Sequence, residues 1–293
     1  MDKILLVGAT GFTGKQVLKQ LIDIDAVEIT CLVRSLEKAR GLCESKKVAY
    51  IVGDLDDPSS LDEAFKGQNT LIFVASMGFG HMPAVINACN KHDIKRGVFI
   101  SSTAIFTRLP AQSIDGRQAG ELVVTSSDLE WTILRPTMIF GRKGDRNMER
   151  LVRNLCRFPL FFIPGPGKAL QQPIFVDDVA KAVVQAYQSK NTIRKAYNIS
   201  GKYSLTFNQM IAETIQELHK TIYTINLPLS LVMTLVKIYN KIFKKALLTS
   251  EQVLRVNEDK AFDYNEAHRD FGFEPVGFRQ GIANLIKELF KKS

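Results

Sequence analysis

Three observations predict an α/β protein, a doubly wound parallel sheet with a smaller, discontinuous C-terminal lobe. Short aliphatic runs recur along the first half of the chain, helical patterns separate them, and a glycine-rich turn follows the first run. The strand candidates are KILLVG, EITCLVR, AYIVGD, NTLIFVA, RGVFISS and WTILRP. After the glycines, Val17, Leu18, Leu21 and Ile22 share one helical face, and helices are expected at 59–66, 82–92 and 115–126. Past about residue 141 the alternation breaks down at the Gly/Pro-rich IPGPG. One further strand, PIFV, and a helix, DVAKAVVQAY, then precede a mostly helical remainder. Residues 1–144 are expected to form the first domain and 145–293 mostly the second lobe, with about 172–200 returning to the sheet.

Composition agrees with a buried core. The chain has 293 residues, 45% hydrophobic and 24% charged. No apolar run approaches the roughly 18 residues needed to span a bilayer, so the expectation is a soluble cytoplasmic protein. Cys31, Cys43, Cys89 and Cys156 lie far apart without a C-x-x-C, which suggests core thiols and no metal site. The net charge of +9 favours anionic ligands. Nucleic acid is not expected, because no helix-turn-helix, zinc finger or aromatic-plus-basic RNA motif is present.

The stretch GATGFTG carries the chemistry. A strand that turns tightly into a helix needs Gly8 for the turn, Gly11 so that backbone can approach a pyrophosphate, and Gly14 for close packing of helix on sheet. Thr10, Phe12 and Thr13 lie between those glycines, where the helix N-terminus meets phosphate. This is the dinucleotide turn of a Rossmann-type fold. About twenty residues on, an NAD site has an acidic residue for the ribose 2′-OH, whereas LVRS puts Arg34 there, with Lys15 after the last glycine. NADP(H) is therefore expected in preference to NAD(H).

GATGFTG, LVRS, VGDLDD, VFISST, WTILRPTMIFG and QQPIFVDDVA, in this order, resemble the extended and atypical short-chain dehydrogenases/reductases. The likeness is greatest to the NAD-dependent epimerase/dehydratase group, with its NmrA-like and complex I 39-kDa-subunit-like branches. It implies Asp54, with Leu55, near the adenine; Ala75 and Ser76 along the cofactor; and Pro136, Thr137 and Met138 beside the nicotinamide.

One family feature is missing. Active members carry Tyr-x-x-x-Lys on the helix after the fifth strand, where the phenol exchanges a proton with the substrate oxygen and the lysine lowers its pKa. Aligned on Glu121, this chain has Ser113 in the tyrosine place and Arg117 in the lysine place. Candidate catalytic groups are therefore Ser102 and Thr103 at the end of the fifth strand, Ser113, and Arg117 as fixed positive charge. His81 lies in the loop after the fourth strand, and Asp177 and Asp178 are expected to N-cap the next helix.

Two functions follow. One is an oxidoreductase or epimerase-like enzyme acting on a small carbonyl or nucleotide-sugar substrate by nicotinamide hydride chemistry. The other is a non-catalytic NADP(H)-binding regulatory or assembly protein. Either is compatible with a monomer or a homodimer. Arg146, Arg150, Arg153 and Arg157, spaced by four, three and four, line one helix face, which reads as a solvated face or an anion stripe. The apolar segment 227–248, edged by Lys237, Lys241, Lys244 and Lys245, reads as cleft packing or as a peripheral membrane contact.

Overall fold

The computed structural model describes residues 1–109, 112–242 and 249–291, with only the backbone described at 112 and 113. Alternating strands and helices build the first half: β1 (Asp2–Val7), α1 (Phe12–Ile22), β2 (Val27–Val33), α2 (Leu36–Ala39), β3 (Val48–Val52), α3 (Asp62–Phe65) and β4 (Thr70–Phe73). There follow α4 (Met82–Lys91), β5 (Arg96–Ile100), α5 (Gln112–Thr125), β6 (Glu130–Pro136) and β7 (Ile139–Phe140). Then come α6 (Met148–Arg157), β8 (Leu160–Pro164), β9 (Leu170–Gln171), β10 (Ile174–Phe175), α7 (Val176–Gln188) and β11 (Lys195–Ile199). The chain continues through β12 (Leu205–Thr206), α8 (Phe207–Glu217), β13 (Tyr223–Leu227), α9 (Leu229–Ile242), α10 (Ser250–Val256), α11 (Asn265–Phe271) and α12 (Phe278–Phe290).

Seven strands form one parallel sheet in the order β11-β6-β5-β4-β1-β2-β3. All six predicted strands are in it. The order reverses between β1 and β4, and that switch point opens a crevice at the C-terminal strand ends. Both faces of the sheet are covered, so its strands read as continuous apolar runs. On one face Val17, Leu18 and Leu21 of α1 pack with Val179, Ala182 and Val183 of α7. On the other, Phe65, Val85, Cys89 and Val124 from α3, α4 and α5 close over Leu5, Phe73 and Phe99.

The structure corrects three expectations. PIFV does not enter the main sheet: Ile174 and Phe175 pair with Ile139 and Phe140 in a separate two-stranded ladder. The seventh strand is instead β11, whose half-polar KAYNI gives little strand signal. The segment 59–66 is not one helix but a 3₁₀ turn, Pro58–Leu61, running into the single turn of α3, because Asp57 caps Ser59 and Pro58 starts the turn. Nor do Asp177 and Asp178 cap α7. Phe175 holds the N-cap place and both acids lie in the first turn, where the charge of Asp177 suits the helix dipole. There Asp177 pairs with Arg142, and Asp178 accepts the Val276 N–H at 2.9 Å.

Burial explains the thiols: Cys31 and Cys89 lie in the core, and desolvation pushes each up to about 12.

Candidate cofactor and substrate site

Gly8 leaves β1 at φ +94°, and a Cβ there would stand 2.8 Å from the Ala75 nitrogen at the end of β4. Only glycine allows both the left-handed backbone and that approach of two strands. Gly14 is more constrained still, since a Cβ would lie 2.0 Å from the Gly8 carbonyl oxygen. The helix is thus set directly against the turn. Gly11 is the N-cap of α1 and has no side chain to occupy the first N–H groups, and the first turn holds no acid. Those donors and the positive helix end fit a pyrophosphate.

Around that turn the strand ends bring the other predicted residues together. Arg34 follows β2 and is exposed, as is Lys15 on α1. Asp54 follows β3, where its Oδ1 accepts the Asp56 N–H at 3.1 Å, while Leu55 packs on the core. Ala75 and Ser76 follow β4. The Ser76 hydroxyl caps the turn Met77–Phe79, and that turn is pressed against α5 because Gly116 and Gly120 carry no Cβ.

At the far end of the crevice, Ser102 caps the 3₁₀ turn Thr103–Phe106 by accepting the Ala104 N–H at 3.1 Å. Thr103 is buried and donates its hydroxyl to the Pro136 carbonyl at 3.2 Å. Both hydroxyls therefore hold backbone in place, and Ser102 is the less buried of the two residues. The Ser101 hydroxyl is buried with no hydrogen-bond partner among the described residues. Thr137 is buried and donates to the Gln172 carbonyl, and Met138 packs on the cluster around Phe140. The Ser113 side chain lies outside the described residues.

Arg117 is half-buried on α5. Burial first, and then the neighbouring Arg255, lower its pKa. Arg255 belongs to α10, and Lys260 donates to its carbonyl oxygen; Lys260 is held down to about 8, by burial first and then by Arg255. The nearby acid, Glu258, accepts from the Thr107 hydroxyl at 2.7 Å and the Arg108 N–H at 2.8 Å. Phe106 and Phe262 stack at 5.7 Å beside it. Arg255 thus lies near both Arg117 and Lys260 and pairs with Glu251 at 3.5 Å, while Glu258 ties this part of the chain to Thr107 at the end of the Ser102 turn.

Sequence reasoning missed Arg255, Glu258 and Lys260, since no motif marks them and only the return of 258–262 brings them in. It also missed Gln172, whose amide donates to the Gly201 carbonyl at 2.7 Å and accepts the Phe262 N–H at 2.8 Å. His81, just after the turn Met77–Phe79, has an acid for its neighbour. Its Nδ1 lies 3.6 Å from Asp56, just past β3 at the opposite edge of the sheet.

A cavity of about 390 Å³ lined by Asp2, Arg96, Glu130 and Tyr187 opens at the N-terminal strand ends, away from the crevice where this topology binds ligands. Among the described residues no cluster of His, Cys, Asp or Glu is placed to hold a metal ion.

A family model described as NAD(P)H-binding matches residues 8–190. An Escherichia coli O157:H7 protein, N-acetyl-alpha-D-glucosaminyl-diphospho-ditrans,octacis-undecaprenol 4-epimerase, is 24% identical over 99% of this chain and 96% of its own length. A mitochondrial protein of Mus musculus, NADH dehydrogenase (ubiquinone) 1 alpha subcomplex subunit 9, is 22% identical over 85% of this chain and 70% of its own. Among solved structures, a point mutant of UDP-glucuronic acid 4-epimerase from Bacillus cereus, in complex with a fluorinated UDP-sugar and NAD, superposes with a TM-score of 0.79. It is 16% identical over 98% of each chain, which establishes the common fold. Because the family match begins at the glycine turn and spans more than half of the sequence, this chain belongs to the NAD(P)H-binding family, within the atypical short-chain dehydrogenases/reductases.

Proposed function

We propose that the protein is an NADP(H)-preferring oxidoreductase or epimerase/dehydratase-like enzyme whose substrate is a small carbonyl compound or a nucleotide sugar, bound through its anionic part. In this reading residues 1–144 hold the cofactor and the later elements form the substrate side. The cofactor supplies hydride transfer. The chain's own residues do the rest: the first turn of α1 binds the pyrophosphate, Arg34 and Lys15 meet the 2′-phosphate, and Pro136 to Met138 flank the nicotinamide.

The observation that carries the reading is the grouping of Arg117 and Lys260 around Arg255, joined through Glu258 to Thr107 at the end of the Ser102 turn. A partly desolvated guanidinium in the place of the family's lysine supplies fixed positive charge for a developing oxyanion and holds an anionic substrate. Ser102, whose oxygen already accepts from backbone, has its proton available for the substrate oxygen. The absence of Tyr-x-x-x-Lys and the engagement of the Thr103 hydroxyl favour a second reading, an NADP(H)-binding protein without turnover. NADPH oxidation against keto-sugar nucleotides and small ketones separates the two. Turnover that Arg117→Ala lowers about a hundredfold with cofactor affinity intact supports the enzyme. A bound-state structure with nicotinamide C4 blocked on both faces supports the binder.

A further inference from the structure

The small ladder of β8 and β13 has two unlike faces. Leu160 lies opposite Tyr223 and Phe162 opposite Ile225, so strand alternation puts all four on one side. They are 37% to 69% exposed. On the other side Ile163 is buried against Leu155 and Ile211. One face is core, and the other is bare apolar surface.

The apolar surface continues along the chain on both sides of the ladder. Just before β8, Phe158 is exposed beneath the Arg157 guanidinium, 5.4 Å from its ring. Just after β13, α9 exposes Leu231, Leu235, Ile238 and Ile242, a spacing of four, three and four that marks one helical face. Val236 is the buried residue of that helix, and α9 packs on α10. The end of α10 is tied to the ladder, with Asn257 donating to the Pro164 carbonyl at 3.1 Å. Residues 243–248, including Lys244 and Lys245, lie outside the described residues.

Charge identifies the occupant. Arg150, Arg153 and Arg157 occupy the solvent side of α6, which leads into β8, and Lys237 and Lys241 are exposed on α9. The sequences of β8, β13 and α9 contain no acid, and the acid on α6, Glu149, is paired with Arg153 at 2.8 Å. An apolar centre bordered by cations matches an anionic lipid surface, into which the side chains insert while the cations meet phosphate headgroups. A second copy docking by two-fold symmetry would instead set cationic border against cationic border. Among the described residues no helix is long and apolar enough to cross a membrane, so the contact is one of lying on the surface.

We infer that the exposed face of β8 and β13, with the outer side of α9 and the arginine side of α6, docks the protein on an anionic phospholipid bilayer. This goes beyond the proposed activity and does not depend on it. The test is sedimentation of the full chain with phosphatidylcholine vesicles, with and without about 30 mol% phosphatidylglycerol. The expected result is binding to the anionic vesicles at least about tenfold stronger than to neutral ones, weakened by high salt. Phe162→Asp with Ile225→Asp should reduce it at least about tenfold, with the circular dichroism spectrum unchanged because both side chains are exposed. If that pair disturbs folding, Arg157→Glu with Lys241→Glu tests the same surface through its border. Failure of the wild type to bind either vesicle overturns the inference. So does binding that neither pair of substitutions weakens, or a solution dimer that Ile225→Asp converts to monomer.

Discussion

Glu121 on α5 grips Arg135 at the end of β6 at two points, with Arg135 Nε 3.0 Å from one carboxylate oxygen and Nη2 2.5 Å from the other. The pair is largely buried, and the guanidinium sits 5.4 Å from the centre of the Phe106 ring. It joins the helix that carries Arg117 to the strand that ends at Pro136, and so sets the width of the proposed substrate crevice.

Breaking that pair from one side leaves a buried charge alone. Glu121→Ala is therefore expected to cost about 3 kcal/mol, whereas Glu121→Leu combined with Arg135→Met should recover most of the loss. Urea unfolding of the three proteins measures the difference.

Gly14→Ala sets a methyl 2.0 Å from the Gly8 carbonyl oxygen, which neither backbone can escape without moving α1 off the turn. The expected outcome is a loss of roughly 1–3 kcal/mol together with loss of the stabilisation that added NADPH gives the wild type. A thermal melt with and without NADPH reads both.

Asp178 links stability to pH. Burial pushes its carboxyl up to about 6, against the opposing effect of the Val276 N–H bond. Because the folded-state value is raised, the contribution of this group is fully present below the ordinary carboxylate pKa and is lost as the pH rises through about 6. Asp178→Asn keeps the acceptor and cannot ionise. It should be more stable than the wild type at pH 8 by on the order of 1–2 kcal/mol and nearly equal to it at pH 4, measured by urea midpoints.

Much of the fold was legible because a buried parallel sheet writes itself as aliphatic runs, and the glycine turn because its backbone admits no other residue at Gly8 and Gly14. What escaped reading depends on distant pairing. β11 enters the sheet with a half-polar sequence, while the more apolar PIFV forms only a two-residue ladder, so hydrophobicity ranked the two wrongly. Arg255, Glu258 and Lys260 lie far from Arg117 in the chain and reach the same crevice only through tertiary packing. Local pattern likewise placed Asp177 and Asp178 near a helix start without showing that Arg142 and Val276 would be their partners.

The central claim is a dinucleotide site at the Gly8–Gly14 turn that reads a 2′-phosphate through Arg34. Isothermal calorimetry of NADPH and NADH on the wild type and on Arg34→Asp tests it most directly. The account predicts that NADPH binds at least about tenfold more tightly than NADH, a difference of roughly 1.4 kcal/mol, and that Arg34→Asp abolishes this preference. Equal affinities in the wild type, or a preference that survives Arg34→Asp, would contradict it.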